Sequence, residues 1–205
     1  MRPGAAGCTR GTSSWHFPGW AGQVWAWPVA EALLSRTGLA AYARHPLLRA
    51  VSLDRAFYRL LAPDEYAALA AQVPHDFRFV VKAPALLTDA QRRDAGTAAP
   101  LGDNPGFLDA ELAASGVAVH TALGLGAKLG VLVLQLSPLP PRWLRDPAAL
   151  HDRLAAAVQA AQQALAPHSP GALVAVELRD PLLLTPALAA LLRALAEALD
   201  ALPGP

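Results

Sequence analysis

GVLVLQL, residues 130–136, is the stretch whose reading decides the fold. It is an apolar run interrupted only by Gln135 near its end and stopped by Ser137-Pro138. Bounded in this way, it reads as a strand. Continuous rather than alternating hydrophobicity is what a parallel strand covered on both faces shows. Downstream, ALVAVEL at 172–178 repeats the pattern, with Glu177 near its end. Upstream, FRFVVK at 77–82, which alternates at its start, and AVSLD at 50–54 are further strand segments, and a weaker one runs from Gly7 to Ser13.

The intervals between these segments read as helices. Val29–Arg44 is one, with a break at Gly38; Asp64–Gln72 is closed by Pro74; Phe107–Leu123 follows Asn104-Pro105. Two starts are sharper. Asp146-Pro147 opens a helix through Leu165, and Thr185-Pro186 opens another through Leu202. In each, the capping side chain accepts a hydrogen bond from a free N–H of the first turn, and proline stands where no N–H is needed. Asp94–Asp103 (DAGTAAPLGD) is the most loop-like stretch and is expected as a long loop on the face where the strands end. The order is strand–helix five times over. That predicts an α/β protein with a parallel sheet and right-handed crossovers, either open and doubly wound or a barrel.

With 205 residues and no linker, a single domain spanning 1–205 is expected. Hydrophobic residues make up 54% and charged residues 16%, enough apolar material for a packed core. The net charge of +1 gives no electrostatic reason to expect nucleic acid or an acidic membrane as the main partner. Cys8 is the single cysteine, which excludes a disulfide within the chain and a zinc-thiolate cluster; it is expected as a small buried residue at the start of the first strand. The first residues, MRPGAAGCTRGTSSW, lack the apolar stretch of a signal peptide, and no run approaches a membrane helix, so a cytoplasmic location is expected.

The first strand–helix turn reads GTSSWHFPGW rather than a glycine fingerprint, and no GxxxxGK[ST] loop occurs. That argues against a nucleotide-binding open sheet. In parallel α/β folds the functional face lies at the carboxyl ends of the strands. Here those ends carry Ser13 and Trp15, then Asp54, Tyr58 and Arg59, then Lys82, then Gln135, then Glu177 and Arg179. Lys82 at the end of an apolar strand suits an anion as a point charge, or a Schiff base if desolvated. It equally suits an ion pair with Asp54 or Glu177. Glu177 inside an apolar strand must pair or titrate; Arg179, two residues on, shares its face. Asp54 is a third carboxylate at the same end, or caps the loop that follows. Trp15, Trp20, Phe57 and Tyr58 form an aromatic group that either walls a site or fills the core. None of the histidines shows paired metal spacing, so no metal is expected.

The strings GTSSWHFPGWAG (11–22), SLDRAFYRL (52–60), FRFVVKAPALLTD (77–89), LGAKLGVLVLQLSPLPP (125–141) and VAVELRDP (174–181) resemble, in order, the YecE-like family, also called domain of unknown function 72. The resemblance implies parallel strand–helix units of a TIM-barrel-like fold, about five of eight units present, and a chain incomplete at its C-terminus. It brings no assigned activity. One departure falls at the second strand, where the family more commonly carries Glu-x-Asn and this chain has Ser52-Leu53-Asp54. The reading that follows is a strand-end pocket, cofactor- and metal-independent, for a small polar or phosphorylated ligand. In it Lys82, Glu177 and Asp54 carry any chemistry, and Ser13, Trp15, Tyr58, Arg59, Gln135 and Arg179 hold the ligand. The alternatives are a non-catalytic nucleic-acid- or ligand-binding protein using Arg55–Arg59 with Arg92 and Arg93, or a fragment with no independent function. Self-association through unpaired strand edges is a further expectation.

Overall fold

The computed structural model describes residues 9–200. The expectation for Cys8, and the start of the first predicted strand, lie outside the described residues. In chain order the strands are β1 (Gly11–Thr12), β2 (Ala50–Leu53), β3 (Arg78–Lys82), β4 (Gln91–Arg93), β5 (Pro100–Asp103), β6 (Leu129–Leu136) and β7 (Leu173–Leu178). The helices are α1 (Glu31–Thr37), α2 (Leu39–Tyr42), α3 (Arg55–Tyr58), α4 (Pro63–Ala70), α5 (Ala85–Thr88), α6 (Val119–Leu125), α7 (Pro141–Arg145), α8 (Pro147–Leu165) and α9 (Pro186–Asp200). A π-helical segment, Leu112–Ala118, leads directly into α6.

The fold is an α/β fold built on one parallel five-stranded sheet, in the order β1-β2-β3-β6-β7. Each of these strands pairs with the next one along the chain, so the order never reverses. At the first joint the backbones come very close. A side-chain carbon on Gly11 would sit 2.2 Å from the Ala50 carbonyl oxygen, so β1 reaches β2 only because position 11 is glycine. The Tyr42 hydroxyl fastens the same joint, donating to the Ala50 carbonyl at 2.9 Å and accepting from the Thr12 amide at 3.2 Å. Its ring meets Phe77 edge-on at 6.2 Å, and Phe77 in turn meets Phe79 at 5.4 Å.

The helices cover one face of the sheet. Val51, Leu53, Phe79, Val81, Leu132, Leu134 and Leu136 are buried there. Between them, Ser52, Val80, Lys82, Val131, Val133 and Gln135 are only half-buried. The expectation that β6 and β7 are covered on both faces is therefore corrected: burial alternates along β6, as it does along β3, with the period of two that any strand imposes, and β7 is nowhere fully buried. Valine and leucine on the two sides make the sequence look continuous even though only one side is covered.

Helix α8 shows why the long helices form where the sequence places them. Asp146 accepts from the Ala149 amide at 3.1 Å, Pro147 occupies the first turn, and Leu150, Leu154, Ala157, Val158, Ala161 and Leu165 form one buried stripe. Thr185 does the same for α9, accepting from the Leu188 amide at 3.2 Å. The helix layer runs from α4 to α6, from α6 and its π-helical lead to α8, and from α8 to α9. No helix among the described residues is long and apolar enough to cross a membrane.

Three predicted elements differ. The Val29–Arg44 helix is two short helices meeting at Gly38. The Phe107–Leu123 helix starts later, because Leu108 takes a left-handed φ of 50° and gives its amide to the Leu87 carbonyl; Asp109 then caps the first turn by accepting from the Leu112 amide. The stretch 94–103 is not one long loop. Its second half is β5, antiparallel to β4, in a separate hairpin. Asp94 folds the turn by accepting from the Gly96 and Thr97 amides and the Thr97 hydroxyl. Asn104 closes the base, donating to the Leu86 and Asp89 carbonyls, both at 2.7 Å.

Candidate functional site

At the carboxyl ends of β2, β3, β6 and β7, on the sheet face that the helices leave open, six polar side chains form one continuous network. The alternation of the strands puts them there. Gln135 and Glu177 are direct cross-strand partners, and Lys82 lies beside Val133, two residues before Gln135 on the same face. Ser52 donates to the Asp54 carboxylate at 2.7 Å. Asp54 lies 3.6 Å from the Lys82 ammonium. Lys82 donates to the Gln135 side-chain oxygen at 2.9 Å, and Arg179 donates to that same oxygen at 2.9 Å. Arg179 also pairs with Glu177 at 2.8 Å.

Two cations from different strands thus converge on one neutral acceptor, with a carboxylate outside each. The charges cancel within the network. Lys82 is the most enclosed charge, with 21% of its side chain exposed against 51% for Arg179. Arg179 makes both of its contacts through Nη2, so its Nε and Nη1 donors take no part in the network. Asp54 stands at the start of α3, but its side chain caps no backbone amide; its partners are Ser52 and Lys82.

Ser13 lies beside this network rather than in it. It lines a cavity of about 240 Å³ together with Ser52 and Asp54, and a second of about 240 Å³ with Gly11, Ala50 and Val80 on the open sheet face.

Of the other predicted ligand contacts, Trp15 borders the cavity shared by Ser13, Ser52 and Asp54, whereas Tyr58 and Arg59 lie elsewhere. Trp15 is buried: its indole N–H donates to the Leu34 carbonyl at 3.2 Å and its ring lies under the Arg55 guanidinium at 5.1 Å. Tyr58 is 83% exposed at the end of α3, meeting only the edge of Phe57 among rings. Arg59 turns toward α4, where it grips both oxygens of Glu65. That grip, joined by the Ala62 amide, holds the Glu65 carboxyl down at about 2. The expected aromatic group therefore splits three ways, since Trp20 packs with Phe17 and Tyr42. Of the basic residues of the nucleic-acid alternative, Arg59 is engaged by Glu65 and Arg93 by Asp89 at 2.8 Å.

Ser52 is the network member that reading the sequence missed. Its signal was available: it stands two residues before Asp54 in AVSLD, a hydroxyl on the side of the strand away from Val51 and Leu53.

A profile of the family described as "Protein of unknown function DUF72" matches residues 9–201. The chain belongs to the DUF72 family. Among curated proteins nothing matches. Among solved structures, two of a DUF72 family protein from Enterococcus faecalis are similar to it. They are 17% and 18% identical, with TM-scores of 0.44, covering 80% and 82% of this chain and 53% and 57% of theirs. A DUF72 family protein from Thermotoga maritima is 16% identical with a TM-score of 0.43, covering 91% of this chain and 61% of its own. This DUF72 chain thus spans a little over half the length of those relatives.

Proposed function

We propose that this DUF72 protein binds a small anionic ligand, a phosphate or carboxylate on a polar body, across the ends of β3, β6 and β7. The observation that carries the reading is the convergence of Lys82 and Arg179 on the single side-chain oxygen of Gln135. A ligand oxyanion fits where that neutral oxygen sits between two cations, and Arg179 keeps its Nε and Nη1 donors for further single hydrogen bonds to a carboxylate or phosphate. Binding is better supported than turnover: Asp54 and Glu177 are each committed to a cation, and any proton-transfer role for Lys82, Asp54 or Glu177 follows only once a ligand has displaced that pairing. The unreversed strand order supports reading the sheet as part of a TIM-barrel-like fold, whose ligands enter at the carboxyl ends of the strands.

The test is a thermal-stabilisation titration with inorganic phosphate and with a sugar phosphate. The expected result is a melting temperature that rises with concentration in the parent protein, and a rise at least halved in Lys82→Ala and in Arg179→Ala. Equal stabilisation of the parent and both variants overturns the assignment.

A further inference from the structure

A third cavity, of about 350 Å³, opens between α1, α3 and α4; it includes none of Lys82, Gln135 and Arg179, and it shares Trp15 and Arg55 with the cavity lined by Ser52 and Asp54. Arg55 lines it. Its guanidinium is stacked on Trp15 at 5.1 Å, and Trp15 is itself fixed by the hydrogen bond to Leu34. A cation–π contact with the ring uses none of the guanidinium N–H groups as hydrogen-bond donors to an oxygen acceptor. The nearby carboxylate does not take them: both Glu65 oxygens are held by Arg59. Arg36 lines the same cavity, and among the described residues neither Arg36 nor Arg55 donates a side-chain hydrogen bond or forms an ion pair. Arg36 and Arg55 thus line one cavity together with Glu65, whose carboxylate is taken by Arg59, and with the buried leucines Leu39, Leu61 and Leu69.

We propose that this cavity is a binding site for a small organic carboxylate, its oxyanion held by Arg55 and Arg36 and its apolar body laid against these leucines. A guanidinium placed over an indole and left without a carboxylate partner is suited to a two-point grip on a ligand carboxylate. The volume lies at the lower end of the range for small-molecule sites, which calls for a compact body of a few carbons rather than a long chain. The leucines distinguish this ligand from a bare ion, because apolar area removed from water adds to the anion contact.

The experiment is calorimetric titration of the full chain with hexanoate, with hexanol and inorganic phosphate run beside it. Hexanoate is expected to bind one to one and hexanol not measurably. Arg55→Gln is expected to weaken hexanoate at least tenfold. Ala68→Trp, which fills the cavity from an exposed position on α4, is expected to abolish binding while leaving the fold intact, and it keeps the test decisive if Arg55→Gln loses stability. Lys82→Ala is expected to leave hexanoate affinity within twofold, which separates this site from the strand-end network. No hexanoate binding, binding unchanged by Ala68→Trp, or phosphate binding as tight as hexanoate and equally lost in Ala68→Trp, overturns the proposal.

Discussion

Replacing Gln135 with leucine keeps nearly the same volume and removes the one acceptor that Lys82 and Arg179 share. Both cations then lose a hydrogen bond at 2.9 Å. Their burial decides how much each loss matters. Lys82 is mostly enclosed, so its bond is worth about 1.5 kcal/mol, at the lower end for hydrogen bonds to charged groups. Arg179 is half-exposed and water replaces the acceptor, so its loss is about 0.5 kcal/mol. The total, about 2 kcal/mol, lowers the melting temperature of a chain this size by about 4–8 °C. Urea unfolding of the parent, Gln135→Leu, Lys82→Met and the double variant measures both the loss and the coupling. The double variant is expected to fall short of the sum by about 1 kcal/mol, because the two single changes remove the same bond. A loss below about 0.5 kcal/mol, the range of an ordinary surface substitution, or strict additivity, refutes the idea that Gln135 ties the strand ends together.

Three further outcomes follow from particular contacts. Tyr42→Phe leaves the Thr12 amide and Ala50 carbonyl short of a partner at the β1–β2 joint and is expected to cost about 1–3 kcal/mol in denaturant unfolding. Gly124→Ala puts a carbon 2.4 Å from the Pro63 carbonyl oxygen and from the Tyr66 side chain, where α4 meets α6; a loss of about 1–3 kcal/mol is expected from that overpacking, and full stability would show that the two helices are free to part. Glu65 has a folded-state value lowered from 4.5 to about 2, so its stabilising effect is complete above about pH 4.5 and disappears as pH falls through about 2; stability followed across that window at low salt is expected to drop more steeply in the parent than in Glu65→Gln, and parallel curves would remove the Arg59–Glu65 grip as the cause.

The sheet was readable because the hydrophobic runs at 50–54, 77–82, 130–136 and 172–178 each became a strand. The two proline-led helices were readable because capping chemistry is local: Asp146 and Thr185 need only their own first turn. What failed was whatever depends on distant residues. GVLVLQL cannot tell a covered face from an open one when both carry valine and leucine. Nothing in PLGD favours a strand; β5 exists because the Asp94 turn and Asn104 bring it against β4. Trp15 follows a strand end and so reads as a site residue; it borders the cavity of Ser13, Ser52 and Asp54, but its burial against Leu34 and Arg55 depends on residues distant in sequence. At the strand ends, Lys82, Gln135, Glu177 and Arg179 were legible as polar groups in apolar surroundings. Their joining through one amide oxygen was not, since it depends on how β3, β6 and β7 are aligned.

The succession of neighbours in the sheet also bears on how the chain assembles. A sheet in which every strand joins its predecessor can grow one unit at a time, with no strand waiting for a later one to be inserted beside it. The widest gap to close is between β3 and β6, where residues 83–128 intervene and carry the hairpin; between β2 and β3 the interval is residues 54–77. Ring-closure entropy rises only logarithmically, so nearly doubling the interval adds only about 0.6 kcal/mol. The hairpin, pinned at its root by Asn104, is therefore a near-neutral passenger on the entropy of folding, and the joint it interrupts remains within easy reach of a growing sheet.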